Sequence, residues 1–575
     1  MKEKVIRTSR KNERSEFVKL ECVNCGATPE MVDKKHVLCR YCGQRYLVDD
    51  AEGRLILDVN IKYGGNDEQT KRALKAVIVV LVVFLILAIL VIKEIWEYNV
   101  PARESQLINE KEEAERVETD RVLELFCEEV FGKKYEKITQ EELDSIRYIS
   151  WDYSVQGDIT ELTYSFTDYK DCESEEEFQA TIQRWAGVNM HLPMDFTMFK
   201  GLTRVDRFAS PMTFSQDAKI SYLCTDLGLE HVREKINPQY VEVLHFEIGS
   251  LCGDYVEGLK EYSSLKELYL TGYQDTAMDM KELLEGKSLE RLQVECHVQG
   301  YTNLEALGEQ IHLKELWLEH SEVSDLSFLQ NLKELEILGI NTEAKPDYSV
   351  LAQLPKLKVF DSYNSCLSAR EIRGLQNVEV LNIEIDTQQA LQELSKLSQL
   401  KRLVVHMNDI WIYDVVDISA LSQLPQLQYL SMYGGTYKGV EGLYNHPTIE
   451  ELWLSRNIVQ TEKLTPNPNL KGVSLSEEKV IDATTGEPVA VKEFLKLFPN
   501  IEVLSLSECR LTNVSFLAEY ENLRNCNLQF NKIVDFSPLN QCKKLEKVYV
   551  YDNPYEELSF SDEVKVVKDI MEIED

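Results

Sequence analysis

The chain has 575 residues, of which 44% are hydrophobic and 28% charged, so its size allows several domains with real cores and excludes a small disulfide-held scaffold. The formal net charge of −35 is unevenly spread: residues 1–75 hold 16 Lys and Arg against 12 Asp and Glu, and the remaining residues hold 47 against 86. A body this acidic repels polyanions, which argues against nucleic-acid binding by the long C-terminal part.

The first predicted elements are a basic tail over residues 1–17 and a metal-binding domain over residues 18–60. This domain contains two Cys-x-x-Cys pairs, in the stretches CVNCGA and CRYCGQ. Four thiolates at this spacing can close tetrahedrally around Zn²⁺, and the glycine after each pair supplies a permissive backbone. Redox-active dithiols are the alternative, but two matched pairs favour zinc. The predicted ligands are Cys22, Cys25, Cys39 and Cys42.

This four-cysteine pattern resembles the bacterial zinc ribbon. The four thiolates leave no coordination position for water, so the Zn²⁺ is expected to be structural. Basic and aromatic residues surround the pairs, including Lys34, Arg40 and Tyr41. They could contact nucleic acid, anionic headgroups or a protein, or they could form an ordinary solvated surface.

A cytoplasmic linker over residues 61–75 leads to the run AVIVVLVVFLILAILVI at residues 76–92, which has no polar side chain. Seventeen residues at 1.5 Å each give about 26 Å of helix, close to the thickness of a bilayer core, so we expect a transmembrane helix in contact with the lipid bilayer. A buried helix of a soluble domain is the alternative, but such helices rarely lack a polar face. Trp96 and Tyr98 come after the run, as expected at a lipid–water interface.

The residues that flank the run predict its orientation. Lys71, Arg72 and Lys75 precede it, whereas Lys93 alone stands directly after it. This asymmetry places the N-terminus in the cytoplasm, and zinc thiolates also belong in a reducing compartment. We therefore expect a single-pass protein of the cell membrane whose C-terminal part is extracytoplasmic.

The sequence after the predicted span is less regular. Residues 93–131 are rich in Glu, Arg and Leu and suit a helical stalk, although a frayed, solvated linker has the same composition. Residues 132–240 form a mixed membrane-proximal region. Its stretches ITQEELDSIRYISW and DFTMFKGLTRVD look like degenerate repeats, so the region is interpreted as a possible cap of a repeat domain.

Residues 241–555 repeat the template L-x-x-L-x-L, with LKELYL, LKELWL and IEELWL among the examples. The fourteen units begin at residues 241, 265, 289, 313, 335, 357, 378, 400, 427, 449, 470, 501, 523 and 545. A period of 20 to 29 residues with this template is typical of leucine-rich repeats, in which each unit gives one strand to a parallel sheet. The predicted fold is therefore an α/β leucine-rich repeat solenoid shaped as a horseshoe, followed by an acidic tail over residues 556–575.

Two details of the repeats lead to further predictions. The family's Asn/Cys position, where a side chain can hydrogen-bond the backbone leaving each strand, is occupied by Asn408, Asn457, Cys509, Asn531 and Asn553. Cys526 and Cys542 take apolar positions, so these cysteines are expected to be buried thiols and not disulfides. Phrases such as VSDLSFLQNL resemble the 22-residue repeats of bacterial internalins.

The sequence contains no catalytic signature: there is no H-E-x-x-H, G-x-S-x-G, P-loop or dinucleotide fingerprint. We therefore predict a non-enzyme that binds a protein or cell-surface ligand through the concave face of the solenoid. Side chains alternate along a strand, so this face can be read from the template. It is predicted to carry Tyr269, Glu315, Trp317, Glu319, Tyr363, Tyr429, Tyr433, Glu451, Trp453, Tyr549 and Tyr551.

Exposed aromatic rings are costly to leave bare and often dominate binding energy, although neighbouring side chains or insertions could cover some of them. A second hypothesis keeps the same architecture: the protein transmits a signal, and its cytoplasmic ribbon engages a protein or nucleic acid. The first hypothesis predicts that ligand capture survives deletion of residues 1–60. The second predicts that a downstream response is lost.

Overall fold

A computed structural model describes most of the chain after residue 122 and four short strands before it. The described residues are 30–31, 36–38, 45–49, 54–57, 123–153, 159–188, 194–208, 212–249, 255–321, 323–342, 344–407, 415–476 and 480–569. The chain divides into two compact units, residues 1–110 and residues 111–575.

The first unit contains an antiparallel sheet of four strands: β1 (Glu30–Met31), β2 (His36–Leu38), β3 (Arg45–Asp49) and β4 (Arg54–Leu57). The four predicted zinc ligands and the apolar run at residues 76–92 lie outside the described residues. In the part of the chain that is described, no helix is both long and apolar enough to cross a membrane.

The strands of the second unit are numbered onward in chain order. They are β5 (Tyr148–Tyr153), β6 (Ile159–Ser165), β7 (Gln183–Val188), β8 (Met194–Phe196), β9 (Arg204–Phe208), β10 (Met212–Phe214), β11 (Tyr222–Thr225), β12 (Val243–Ile248), β13 (Glu267–Tyr273), β14 (Met278–Asp279), β15 (Arg291–His297), β16 (Tyr301–Thr302), β17 (Glu315–Ser321), β18 (Ile337–Thr342), β19 (Val359–Cys366), β20 (Val380–Ile385), β21 (Arg402–Met407), β22 (Val415–Asp417), β23 (Tyr429–Tyr433), β24 (Thr436–Lys438), β25 (Glu451–Leu454), β26 (Asn457–Val459), β27 (Gly472–Ser474), β28 (Val480–Asp482), β29 (Val503–Ser505), β30 (Asn525–Asn527), β31 (Lys547–Tyr549) and β32 (Lys565–Val567).

Twenty of these strands form one long sheet, in the spatial order β7-β6-β5-β9-β11-β12-β13-β15-β17-β18-β19-β20-β21-β23-β25-β27-β29-β30-β31-β32. Every pairing is parallel except β5–β6 and β6–β7. No pairing of described residues joins β7 to β32, so the sheet is open. Three smaller parallel sheets lie apart from it: β8–β10, β14–β16 and β22–β24–β26–β28.

Short helical turns connect most of the strands. Residues 123–131 are helical, and the other α-helices are Gln140–Leu143, Glu175–Gln179, Leu229–Val232, Tyr255–Leu259, Met280–Leu283, Ala369–Ile372, Gln388–Leu394, Glu441–Tyr444 and Val491–Leu495. The 3₁₀ helices are Tyr135–Lys137, Tyr169–Asp171, Pro238–Tyr240, Leu304–Glu309, Ser327–Asn331, Tyr348–Gln353, Ser419–Gln423, Thr461–Lys463, Ser515–Glu519 and Ser537–Gln541.

The repeat template explains the core. The first apolar residue of all fourteen predicted units is buried, and the next template residue pairs in register from strand to strand, as Leu244, Leu268, Leu292 and Leu316 do. Each unit cannot bury its apolar face alone, so stacking the units builds one continuous core. The leucine-rich repeat solenoid predicted from the sequence is therefore confirmed by the strand register.

The parallel register begins before the first predicted unit. Tyr148 of β5 pairs with Arg204 of β9, which pairs with Tyr222 of β11. The hairpin β6–β7 adds two antiparallel strands outside β5. Residues 132–240 thus start the long sheet, and at the other end β32 continues it within the segment expected as an acidic tail.

In the last units, the side chain at the Asn/Cys position hydrogen-bonds the backbone at the turn after each strand, as predicted. The Nδ2 group of Asn531 donates to the carbonyl oxygens of Leu506, Leu528 and Gln529, at 2.8, 2.9 and 3.1 Å. The Nδ2 group of Asn553 donates in the same way to the carbonyl oxygens of Leu528 and Val550. The Cys509 thiol donates to the carbonyl oxygen of Leu475. Asn457 instead accepts from the Tyr444 hydroxyl, and Asn408 lies outside the described residues.

The thiols also behave as predicted in the described part of the chain. Cys509, Cys526 and Cys542 are buried and form no disulfide. Burial raises the pKa of the Cys542 thiol to about 11, so it stays protonated and unreactive at neutral pH.

A regular charge pattern accompanies the solenoid. The second template position of the fourteen units carries, in order, Glu242, Lys266, Glu290, Lys314, Glu336, Lys358, Glu379, Lys401, Gln428, Glu450, Lys471, Glu502, Arg524 and Glu546. We call this set the charge ladder. Acid and base alternate throughout, apart from the neutral Gln428. Six neighbouring pairs form ion pairs with N–O distances of 2.6 to 3.2 Å, so each unit presents the charge that its neighbour attracts.

Candidate ligand-binding face

The face of the long sheet that points away from the core, here called the open face, carries three columns of side chains. The columns exist because side chains alternate along each strand, as the buried Leu268 and Leu270 flank the half-buried Tyr269. The first column contains Glu315, Tyr429 and Glu451, and the second contains Tyr269, Trp317, Trp453 and Tyr549. The third column lies two residues further along each strand and contains Glu319, Tyr363 and Tyr433.

The structure therefore places ten of the eleven sequence-predicted residues on the open face. Tyr551 is the exception, because β31 ends at Tyr549 and the chain turns away. Its side chain is buried and its ring packs edge-on against Phe530, with centroids 4.9 Å apart. The prediction was wrong for this residue because alternation holds only while the chain stays extended.

At the N-terminal end of the open face, aromatic side chains stack on one another across strands. The rings of Tyr269 and His245 are 4.0 Å apart and nearly parallel, and those of His245 and Tyr222 are 5.1 Å apart. The Arg204 guanidinium lies 3.9 Å above the Tyr222 ring and ends the stack. Burial, aided by Arg204, lowers the pKa of His245 to about 4, so its ring is neutral at physiological pH.

Arg204, at the end of this stack, is held in place by ion pairs. It is 3% exposed, and its guanidinium donates to both oxygens of Glu175, at 2.8 and 3.0 Å, and to Asp206 at 2.9 Å. Burial raises the pKa of the Asp206 carboxyl above its ordinary value in spite of Arg204. The repeat template does not reveal this cluster, because its members come from degenerate repeats and from a helix outside the template.

The two tryptophans of the second column are held in similar ways. The indole N–H of Trp317 donates to Glu315 at 2.8 Å, and that of Trp453 donates to Glu451 at 3.0 Å. Both pairs belong to the same stretch, E-L-W-L. A Cβ added to Gly339 on the next strand would lie 1.9 Å from the Trp317 ring, so the missing side chain makes room for the indole. Neighbours therefore cover part of both rings, as the alternative interpretation expected.

Two other predicted aromatic residues pair with cations. The Arg402 guanidinium lies 3.5 Å from the centre of the Tyr429 ring, and the Lys547 ammonium lies 4.8 Å from that of Tyr549. These are cation–π contacts between neighbours on the open face. They leave both tyrosines half-buried.

Three rings form a row in the third column, here called the tyrosine row: Tyr363, His406 and Tyr433. Tyr363 is 39% exposed and Tyr433 is 52% exposed. The His406 ring lies between them, 6.3 Å from Tyr363 and 5.1 Å from Tyr433, with which it is stacked. Sequence reasoning predicted the two tyrosines and missed His406, although LVVHM keeps the alternation of the template.

A hydrogen-bonded chain fixes the His406 ring. The Asn382 side chain donates to the Asp361 carboxylate at 3.0 Å, so its oxygen faces His406 Nε2 at 3.1 Å, and Nε2 must be the donor. Burial lowers the pKa of His406. The row thus presents a neutral imidazole between two phenol rings.

One buried polar atom beside the row lacks a partner. Asn341, between Glu319 and Tyr363 in the third column, is 6% exposed. Its Nδ2 group donates to Glu319 at 3.2 Å, whereas its Oδ1 atom accepts no hydrogen bond in the described structure. A buried amide oxygen without a donor is costly, so this site would gain from a ligand that donates.

Among the described residues, no group of three or more His, Cys, Asp or Glu side chains could hold a metal ion. The cysteines of the predicted zinc site do not belong to that part of the chain.

No protein family model matches the sequence, and no curated protein matches it. The chain is similar to solved leucine-rich repeat structures. An internalin from Listeria monocytogenes shares 14% identity over 59% of this chain and 88% of that chain, with a TM-score of 0.34. A repeat protein from Leptospira interrogans shares 19% identity over 63% and 87%, with a TM-score of 0.38. The ectodomain of a plant membrane receptor kinase from Arabidopsis thaliana, solved with Casparian strip integrity factor 2, shares 15% identity over 63% and 48%, with a TM-score of 0.35.

Proposed function

We propose that the protein is a membrane-anchored binding protein whose leucine-rich repeats recognise a protein ligand through the open face of the long sheet. The observation that carries this proposal is the tyrosine row. Tyr363 and Tyr433 leave large parts of their rings in contact with water. Other rings on the same face are more engaged, since Tyr269 stacks on His245 and Trp317 is hydrogen-bonded to Glu315. Exposed aromatic side chains on a rigid sheet lose little entropy on binding and often contribute most of the binding energy.

The remaining parts of the proposal rest on sequence. The apolar run at residues 76–92 would anchor the protein, with the N-terminus in the cytoplasm and the repeats outside the cell membrane. Cys22, Cys25, Cys39 and Cys42 would hold a structural Zn²⁺ ion in the cytoplasmic ribbon. The antiparallel pairing of β2 with β3 supports this ribbon, because Cys39 and Cys42 fall between these two strands in the sequence.

The binding function can be tested by selecting ligands from a random peptide display library on the full-length protein in a non-ionic detergent. The selected peptides should bind the wild-type protein, and the variants Tyr363→Ser and Tyr433→Ser should each bind them at least about threefold more weakly. The matched control is Tyr240→Ser, because Tyr240 is also 39% exposed but lies in a 3₁₀ helix away from the open face. Equal binding by all three variants would refute the proposal.

The topology needs a separate measurement. Epitope tags at both ends of the chain, followed by protease treatment of intact cells, should leave the N-terminal tag protected and remove the C-terminal tag. A protected C-terminal tag would overturn the extracytoplasmic placement of the repeats. Deletion of residues 1–60 should leave peptide binding unchanged, since the open face lies wholly in the second unit.

A further inference from the structure

Resting on the proposed function, we infer that the tyrosine row, together with Glu319 and Asn341, binds an extended, arginine-rich segment of a partner protein. Tyr363, His406 and Tyr433 supply ring faces, Glu319 supplies a carboxylate, and Asn341 supplies an unsatisfied acceptor. All five residues belong to the third column of the open face.

The ring faces suit a planar cation. Arginine stacks on phenol and imidazole rings through its flat guanidinium, and the neutral His406 ring does not repel it. Glu384 lies beside His406, which is its register partner on the next strand, while on the preceding strand it pairs with Cys366 because the register shifts after Ser362. A guanidinium placed against these rings therefore meets a carboxylate at the same time.

Asn341 indicates that the ligand carries a hydrogen-bond donor. Its oxygen is buried and has no hydrogen-bond partner in the described structure, while its nitrogen is already engaged with Glu319. A guanidinium has five donors in a fixed fork and can satisfy a carboxylate and a neighbouring amide oxygen together. An ammonium ion lacks this planar fork.

The charge of the column also favours a basic partner. From β12 to β23 the third column contains no lysine or arginine. The nine positions are Glu247, Thr271, Glu295, Glu319, Asn341, Tyr363, Glu384, His406 and Tyr433. The nearby Arg402 belongs to the first column and already stacks on Tyr429. A basic segment would therefore meet acids and rings along the whole column, and a polyanion would be repelled.

The spacing of the column sets the length of the segment. Asn341 and Tyr433 lie on strands that are four steps apart in the sheet, which is about 19 Å at roughly 4.8 Å per step. An extended peptide of about six residues spans this distance. Its alternate side chains, roughly 6.8 Å apart, would point at the column.

The inference can be tested with capped, fluorescent hepta-arginine, hepta-lysine and hepta-glutamate peptides and the full-length protein in a non-ionic detergent, at about 150 mM salt. Fluorescence anisotropy should show that hepta-arginine binds several-fold more tightly than hepta-lysine and that hepta-glutamate does not bind. Tyr363→Ser and Tyr433→Ser should each weaken hepta-arginine binding about three- to tenfold, whereas the control Tyr240→Ser should leave it unchanged. Circular dichroism of each variant checks that it is folded.

Four results would overturn the inference. If the three variants bind hepta-arginine as tightly as the wild-type protein does, the acidic body binds the peptide diffusely. If hepta-arginine and hepta-lysine bind with equal affinity, the guanidinium has no specific role. Displacement by spermine at the same charge concentration would identify a small polycation as the occupant. If hepta-arginine fails to bind but display-selected peptides of another composition depend on Tyr363 and Tyr433, the inference is wrong and the proposed function stands. If the binding of those peptides does not depend on the two tyrosines either, both the inference and the proposed function are wrong.

Discussion

Arg204→Met should destabilise the N-terminal end of the solenoid strongly. Methionine keeps an unbranched apolar stem but removes the guanidinium, with its charge and all of its donors. Glu175 would return to water, because its carboxylate is already 57% exposed. Asp206 would not, since it is 16% exposed and loses its contacts with Arg204. The variant therefore leaves a carboxylate that is largely buried and has lost its cation, although it keeps a hydrogen bond with the Tyr148 side chain.

The expected magnitude comes from this difference. Removing one partner of a buried ion pair costs about 3 to 5 kcal/mol, mostly from the charge left behind. The loss of stacking on Tyr222, 3.9 Å away, adds to it. Because about 1.4 kcal/mol corresponds to a factor of ten, amides of β9 and β11 should lose roughly 100- to 4,000-fold of their protection against exchange.

Hydrogen–deuterium exchange with mass spectrometry is the suitable assay, because a repeat solenoid can open locally and a single unfolding midpoint would mix its parts. The loss of amide protection in the Arg204→Met variant should become smaller as the pH falls from about 7 towards 4. Burial already raises the pKa of Asp206, and removing Arg204 should raise it further, so the folded variant takes up a proton that stabilises it. Arg204→Met/Asp206→Asn should restore part of the protection. Unchanged protection in the single variant, or no rescue in the double variant, would refute this reasoning.

Three other predictions concern stability. Lys358→Glu should lower the denaturant midpoint more than Lys358→Gln, because reversal puts three acids in a row in the charge ladder, and the difference should vanish near 1 M salt. Asn531→Ala should cost about 2 to 3 kcal/mol in local exchange around the last units, since it leaves buried carbonyls without a donor, whereas Asn527→Ala on the open face should cost much less. His245 has a folded pKa of about 4, below its unfolded value near 6.5, so its contribution to stability should be lost as the pH falls between these values. In His245→Gln, the thermal midpoint should therefore depend less on pH over that range. A pH profile identical to that of the wild-type protein would contradict the assignment.

The sequence predicts the solenoid well because its main cause is local and periodic. The apolar residue at the first template position has one environment in every unit, and all fourteen of these positions are buried. The units before residue 241 are harder to find for physical reasons. Leu202 and Ile220 begin units only 18 residues apart, and Arg207 adopts a positive φ where β9 and β11 shift register. The hairpin β6–β7 also interrupts the repeat.

The contacts on the open face could not be predicted in the same way. Alternation tells which way Trp317 points, but its cover depends on Gly339, a residue 22 positions later in the chain. Such contacts depend on register between strands, which loop lengths determine and the template does not show. The charge ladder is different, because its alternation lies at one fixed template position. Aligning the fourteen units on that position would have revealed it from the sequence.

The open face is thus divided by how far its rings are already satisfied. Tyr269 is stacked on His245 within the protein, so replacing it removes contacts that stabilise the fold and little that a ligand could use. Tyr363 and Tyr433 have much of their area in water, so their replacement should cost little stability and much affinity. Residue type alone does not separate these roles, since all three are tyrosines on the same face. The neighbours on adjacent strands separate them, and this is why the binding proposal rests on the tyrosine row and not on the number of aromatic residues.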